Sequence, residues 1–433
     1  MEHKFVQNVG KFYFVAMAVL MYYFLNETIS IGLFVTVRHI FALILFVSAF
    51  FAFLYQPNIA RGVASLKTAF VYCMPLVVTL VVSLFIWFAE QVDASVILRG
   101  LSGAFFYTNM FSFTLAAVAF LYVFGEKGIW YNLIAILISN LFTILTIITQ
   151  NGIGVFFKEF ITLIITFAGE TGDVIVQAEV HELAFCLGAY LIYMCLKPRK
   201  NIVFYILFAL SMFCFLAAFK RIGMIAIVIA LVFGWILKFV AKWKADVAKR
   251  MVVVFSILLV VIMIGYVAII KMGVFTLLEE AGIETSGRVT IYSAVDQFYK
   301  FSPDFLGNGI GFLTYRLSNS NVGVAAVHND FLQYFIDLGF WGYILWLSSM
   351  TVLRVCYFGQ KGKINQAIIT FALTVYLVIA SSTDNTMNYP LLTTVLAILM
   401  IGDGFDDRVR KTEGKMFGYI SDANKEKESE SIL

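Results

Sequence analysis

The chain has 433 residues, of which 61% are hydrophobic and 13% charged, with a mean hydropathy of +0.90. A soluble domain is about 25% charged, so this much apolar surface exceeds what soluble cores can hide and calls for lipid. The net charge of +4 is not gathered into a basic patch, which excludes a nucleic-acid binder.

A bilayer-crossing helix needs roughly 20 mostly apolar residues. Runs of this kind occupy 12–25, 39–54, 69–89, 104–124, 129–149 and 180–196 in the first half. The second half adds 202–219, 222–240, 251–270, 340–355, 368–380 and 391–401. No strand-like alternation accompanies them, and a helix satisfies its own backbone in lipid. The sequence therefore predicts an all-α integral membrane protein of about twelve transmembrane helices. No small-residue cleavage site follows the first run, so that run is expected to remain as a helix.

Placing the N-terminus inside puts most of the 31 Lys and Arg on the cytoplasmic side, including the cluster Lys242, Lys244, Lys249 and Arg250. The positive-inside rule then predicts both termini in the cytoplasm. Three regions follow: six helices in 1–200, a core of six in 201–403, and a charged tail, 404–433, expected to be disordered. The chain shows no internal repeat of the kind many transporters carry. The segment 150–179 reads as a helix lying in the membrane interface.

The five cysteines, Cys73, Cys186, Cys195, Cys214 and Cys356, lie in or beside apolar runs without a CxxC pair. They read as small buried residues, not as a metal or disulfide framework.

Chemistry is concentrated in the large extracytoplasmic loop 271–338, between the ninth and tenth helices. Before it, Lys220 and Arg221 sit in a very short outer turn. They read either as snorkelling cations or as a functional pair, and an Arg fork suits a diphosphate. The loop itself carries Glu279, Glu280, Glu284 and Arg288, then Gly307-Asn308-Gly309-Ile310-Gly311. That GxGxG spacing follows no strand, so turn glycines and a phosphate-cradling loop both remain open readings. Arg316 comes next, then Val327-His328-Asn329-Asp330-Phe331-Leu332-Gln333, and the chain enters the membrane through Gly339 and Gly342. Apolar residues at 331, 332, 335, 336 and 338 predict an amphipathic helix with His328 near its start and Gly339 at its end.

A lone histidine is more often structural, but an imidazole at a membrane entry beside arginines is a candidate base at neutral pH. Asp330 and Asp337 are candidates to orient it. His39 and His181 fall on the same side without metal-ligand spacing. Asp384, in the last outer turn, is a further candidate to line the cavity.

The segment from Arg288 through Gly307-Asn308-Gly309-Ile310-Gly311 and His328-Asn329-Asp330-Phe331-Leu332-Gln333 to Gly339 and Gly342 resembles the core signature of the O-antigen ligase and O-antigen polymerase family. Lys220-Arg221 before an apolar helix is similar to the Arg that opens that core. The resemblance spans roughly residues 215–355. It departs from the pattern at Lys220, where the family often has a small hydroxyl residue.

The resemblance implies a GT-C-like bacterial inner-membrane glycosyltransferase that uses no cofactor, metal or nucleotide sugar. Its donor would be an undecaprenyl-diphosphate-linked oligosaccharide at the outer face. It implies His328, Arg288 and Arg221 as catalytic residues and Arg316 as a further contact to the donor diphosphate; Lys220, Asn329, Gly307, Gly309 and Gly311, beside them in the sequence, are the other substrate-binding candidates. Membrane lipids, a flippase and a chain-length regulator are the implied partners, and no nucleic acid is. Polymerisation of repeat units is the favoured activity, in O-antigen, capsule or exopolysaccharide synthesis. A ligase transferring polymer to lipid A core is the near alternative. A lipid-linked glycan flippase is the distant one, and it would need charge through the membrane centre. A cell-shape-type peptidoglycan polymerase keeps its outer Asp in a different motif.

Overall fold

The computed structural model describes residues 47, 50, 51, 53, 54, 58–89, 114–166, 181–218, 220–282, 287–318, 327–361 and 364–415. Among them no strand occurs. The expected run 12–25 and most of 39–54 lie outside the described residues.

In chain order the helices are α1 (Ile59–Ala89), α2 (Thr114–Phe124), α3 (Lys127–Asn151) and α4 (Ile153–Thr166). Then come α5 (His181–Leu196), α6 (Ile202–Ala218), α7 (Arg221–Trp243) and α8 (Ala245–Lys271). Three short helices follow: α9 (Val274–Glu280), α10 (Arg288–Val295) and α11 (Phe312–Ser318). Last are α12 (Asp330–Ser348), α13 (Arg354–Lys361), α14 (Ile364–Ser381), α15 (Pro390–Gly402) and α16 (405–415). Among the described residues, six spans are long and apolar enough to cross a membrane: α1, α3, α7, α8, α14 and the continuous stretch Asp330–Phe358. The shorter apolar helices α2, α5, α6 and α15 fall on four more of the expected runs.

The outward faces are apolar. Phe88 is 89% exposed, Trp243 74% and Phe239 68%, as suits side chains against lipid tails. Inside the bundle, α7 packs on α5 and α14. Ala226, Ala230 and Gly234 recur every four residues on its buried face, where small side chains let backbones approach closely. A Cβ on Gly234 would press on Leu196.

The segment 305–313 forms a clamp on α12. That helix is interrupted at Gly339, whose φ of 70° and ψ of −177° are far from helical. The main-chain oxygen of Asp337 accepts from the amides of Asn308 (3.1 Å) and Gly309 (2.7 Å), and Phe340 N donates to Phe305 O at 2.9 Å. The Asp337 carboxylate takes the Gly311 and Leu313 amides, each at 3.2 Å, while Ile310 N donates to Ser83 Oγ of α1 at 3.0 Å.

The glycine run therefore spends its amides on protein acceptors. It is a structural staple here: a Cβ on Gly307 would meet the backbone of Leu338 and Gly339, and one on Gly309 the indole of Trp87. A Cβ on Gly339 would collide with the Leu306 carbonyl and the Gly307 amide, and the φ there disfavours any L side chain. Gly339→Ala is expected to destabilise the detergent-solubilised protein by roughly 3 kcal/mol or more. Gly265→Ala, in the α8 interior with open space around it, is expected to be neutral or stabilising by about 0.5–1 kcal/mol. Thermal unfolding of the two variants side by side checks this.

Two expectations need correction. The segment from Asp330 to Gly339 is helical up to the break but not amphipathic, because each of its residues is buried. Bundle helices on one side and the clamp on the other leave it no wet face. The tail does not begin at 404: residues 405–415 form α16, with Phe405 fully buried, and Asn58 Nδ2 donates to Glu413 Oε1 at 3.2 Å. Alternating apolar contacts and ion pairs such as Arg61–Asp406 (3.9 Å) dock it against α1. The rest of the tail lies outside the described residues.

Candidate functional site

Four elements meet at one end of the bundle: the start of α7, the end of α8, the start of α12 and the turn 382–389 between α14 and α15. The loop helix α10 closes over them. His328 is held just before α12, with its side chain about half exposed, so solvent and ligand can reach it. Its φ of 52° makes it the one non-glycine residue with positive φ among the described residues. Such a conformation costs on the order of 1 kcal/mol and persists where surrounding bonds fix it.

The Nδ1 of His328 lies 3.9 Å from Asp384 Oδ1, and Lys220 Nζ lies 3.8 Å from Asp384 Oδ2. Asp384 thus bridges an imidazole and an ammonium. It also accepts from the Asn385 amide at 2.8 Å and the Tyr389 hydroxyl at 3.0 Å. Burial works to raise this carboxyl, but His328, the Asn385 amide, Lys220 and Tyr389 together outweigh it and hold the group below its ordinary 3.8. Burial and the adjacent carboxylate in turn push the Tyr389 phenol up.

Arg288 is the first residue of α10, entered through Gly287 at a φ of 73°. Its Nη2 donates to Thr383 O at 3.1 Å, one residue before Asp384. Arg221 is the first residue of α7, directly after Lys220, and its side chain is exposed. The site therefore gathers His328, Lys220 and Arg288 about one turn, with Arg221 on the adjoining helix start.

Other expected participants lie elsewhere. Asn329 is fully buried and serves as the N-cap of α12, its Oδ1 accepting from Leu332 N at 3.1 Å. Asp330 and Asp337 do not orient His328. The former accepts from Met387 N at 2.9 Å and ties down the 382–389 turn, while the latter anchors the glycine clamp. Arg316, on α11, is exposed and lies over the rings of Phe298 (5.9 Å) and Phe312 (5.2 Å). His39 and the His181 side chain lie outside the described residues.

The group that carries the geometry, Asp384, was among the weakest sequence candidates. Its signal was a polar turn, Ser381 to Asn388, between two short apolar runs. Tyr266, Tyr292 and Tyr389 gave none, since a Tyr at the end of an apolar run or in an interfacial helix reads as an ordinary interfacial residue.

Fold and site define an all-helical multi-pass membrane protein with a histidine–carboxylate pair ringed by cations at one end of its bundle. Residues 206–347 match the family model described as O-antigen ligase, which supports the resemblance of this part of the chain to the O-antigen ligase and polymerase family. The matched stretch contains Lys220, Arg221, Arg288 and His328, and Asp384 lies beyond it. A comparison with curated proteins finds no match for the chain.

Proposed function

We propose that the chain polymerises undecaprenyl-diphosphate-linked oligosaccharide repeat units at the outer face of the cytoplasmic membrane, with both termini inside. The observation that carries this reading is the Lys220–Asp384–His328 bridge, with Arg288 tethered to the same turn. In the reaction, an acceptor sugar hydroxyl attacks C1 of the donor sugar. The C1–O bond to the diphosphate breaks, and its electron pair leaves on the diphosphate oxygen.

His328 takes the hydroxyl proton on the imidazole nitrogen that faces away from Asp384. The carboxylate offsets the positive charge this creates. Arg288 and Arg221 meet the diphosphate, whose charge grows as the bond breaks, so their attraction is stronger in the transition state than in the bound substrate. Arg316 is assigned to the glycan or to an outlying phosphate on the exposed loop surface. Such a reaction draws its energy from the donor diphosphate and needs no cofactor.

The ligase reading is favoured by the description of the matching family. A deletion strain separates the two. The polymerase reading expects loss of the polymer ladder with single repeat units remaining. Full-length polymer left on the lipid carrier would favour the ligase instead. The flippase reading is disfavoured by how the buried charges are used. Arg354 donates through Nε to Tyr72 O at 3.1 Å and sits over the Tyr72 ring, and Asp337 is committed to the clamp. These groups are satisfied by protein rather than aligned as a path.

A further inference from the structure

His328 and Asp384 come from segments far apart in the chain, and one of them is held in a conformation that its own backbone disfavours. A pair 3.9 Å apart is useful to a reaction when that separation is fixed before substrate arrives. The residues next to each partner show how it is fixed. Asn329, directly after His328, donates from one Nδ2 to Tyr292 Oη at 3.0 Å and to Tyr266 Oη at 3.2 Å. Tyr266, near the end of α8, donates to Ser382 O at 2.8 Å, two residues before Asp384. Tyr292 belongs to α10, whose first residue, Arg288, donates to Thr383 O.

These bonds form a closed ring. It runs from His328 through Asn329, the Tyr266 hydroxyl and Ser382 to Asp384, and back across the pair. Tyr292 adds a branch to the arginine-bearing helix, reinforced by the edge-on contact of its ring with Phe275 at 5.1 Å. The Asn329 side chain is fully buried and its donors and acceptor are all used. It therefore transmits position and does not touch ligand. We propose that Tyr266 and Tyr292 are positioning residues that set the His328–Asp384 pair through Asn329 and Ser382, a role that rests on the functional reading above.

A buried tyrosine needs a hydroxyl partner in any protein, so the test must separate positioning from ordinary packing. Tyr→Phe removes the oxygen and keeps the ring. Tyr376 provides the control, because it is a fully buried tyrosine bonded to Phe185 O at 2.9 Å, away from the site. Purified wild type, Tyr266→Phe, Tyr292→Phe and Tyr376→Phe would be reconstituted in proteoliposomes. Each would receive lipid-linked repeat unit extracted from a strain lacking the chain.

Tyr266→Phe and Tyr292→Phe are expected to lower kcat about tenfold each, with KM nearly unchanged and a combined loss smaller than the product of the two. The chain has 4 histidines, so the His328 ring resonance can be assigned by its loss in His328→Ala. That resonance is expected to move in the Tyr266 variant and to stay put in Tyr376→Phe. A Tyr266→Phe protein with wild-type kcat and an unmoved His328 resonance would overturn the proposal. If the wild type itself shows no turnover, the functional reading fails, and the resonance alone still decides whether the tyrosines set His328.

Discussion

His328→Ala and Arg288→Ala are each expected to abolish polymer formation while the protein inserts and accumulates normally in the membrane. His328 is about half exposed, and removing its ring deletes no core packing. It does delete the proton acceptor, and general acid–base catalysis contributes roughly 10²–10⁴-fold. The alanine also inherits a backbone at a φ of 52°, which His328→Gly relieves. If activity were lost in the alanine variant through strain alone, the glycine variant would restore it. The expected result is that both are inactive. Arg288→Ala removes a cation facing the departing diphosphate and frees Thr383 O. Arg288→Lys keeps charge without the fork, so it is expected to recover a small part of the rate. Wild-type polymer length and amount from both alanine variants would sink the assignment of the site.

Asp384→Asn is the second large effect, a fall in kcat of roughly 10²–10³-fold. The substitution preserves shape and leaves Lys220 and His328 without the charge they share. Its pH behaviour has a definite sign. The folded carboxyl lies below its ordinary 3.8, so the unfolded chain binds the proton more readily. The stability that ionised Asp384 contributes is therefore complete well above pH 3.8 and fades as pH falls through the lower folded value. Wild type should lose thermal stability across that acid range, and Asp384→Asn should lose less. A variant as acid-sensitive as wild type would remove Asp384 from the ion-pair bridge.

The membrane architecture was legible in the sequence because hydropathy alone dictates which segments must be helices. Ten of the expected runs fall on described helices, although α12 begins at Asp330, ahead of its apolar run. The helix break at Gly339 was legible too, since glycine after a periodic apolar segment is a stop signal. Its purpose was not. The clamp depends on which carbonyl each amide of 307–311 meets, and spacing does not encode a partner.

The same limit governed the site. His328, Arg288 and Lys220-Arg221 are conspicuous as polar residues next to apolar runs. Asp330 and Asp337 looked equally suitable to orient the histidine by proximity in sequence, yet helical geometry turns both into buried anchors. Asp384 takes that place because α14 and α15 return the chain to the same end of the bundle, a fact of tertiary packing.

The most direct test of the central claim uses purified protein in proteoliposomes that contain the extracted undecaprenyl-diphosphate-linked repeat unit. The measurement follows glycan length and free undecaprenyl diphosphate together. The account predicts a ladder of lengthened lipid-linked glycans, with one undecaprenyl diphosphate released per bond formed, and neither product with His328→Ala. Unchanged single repeats, or lengthening that His328→Ala carries out as well as wild type, would contradict it.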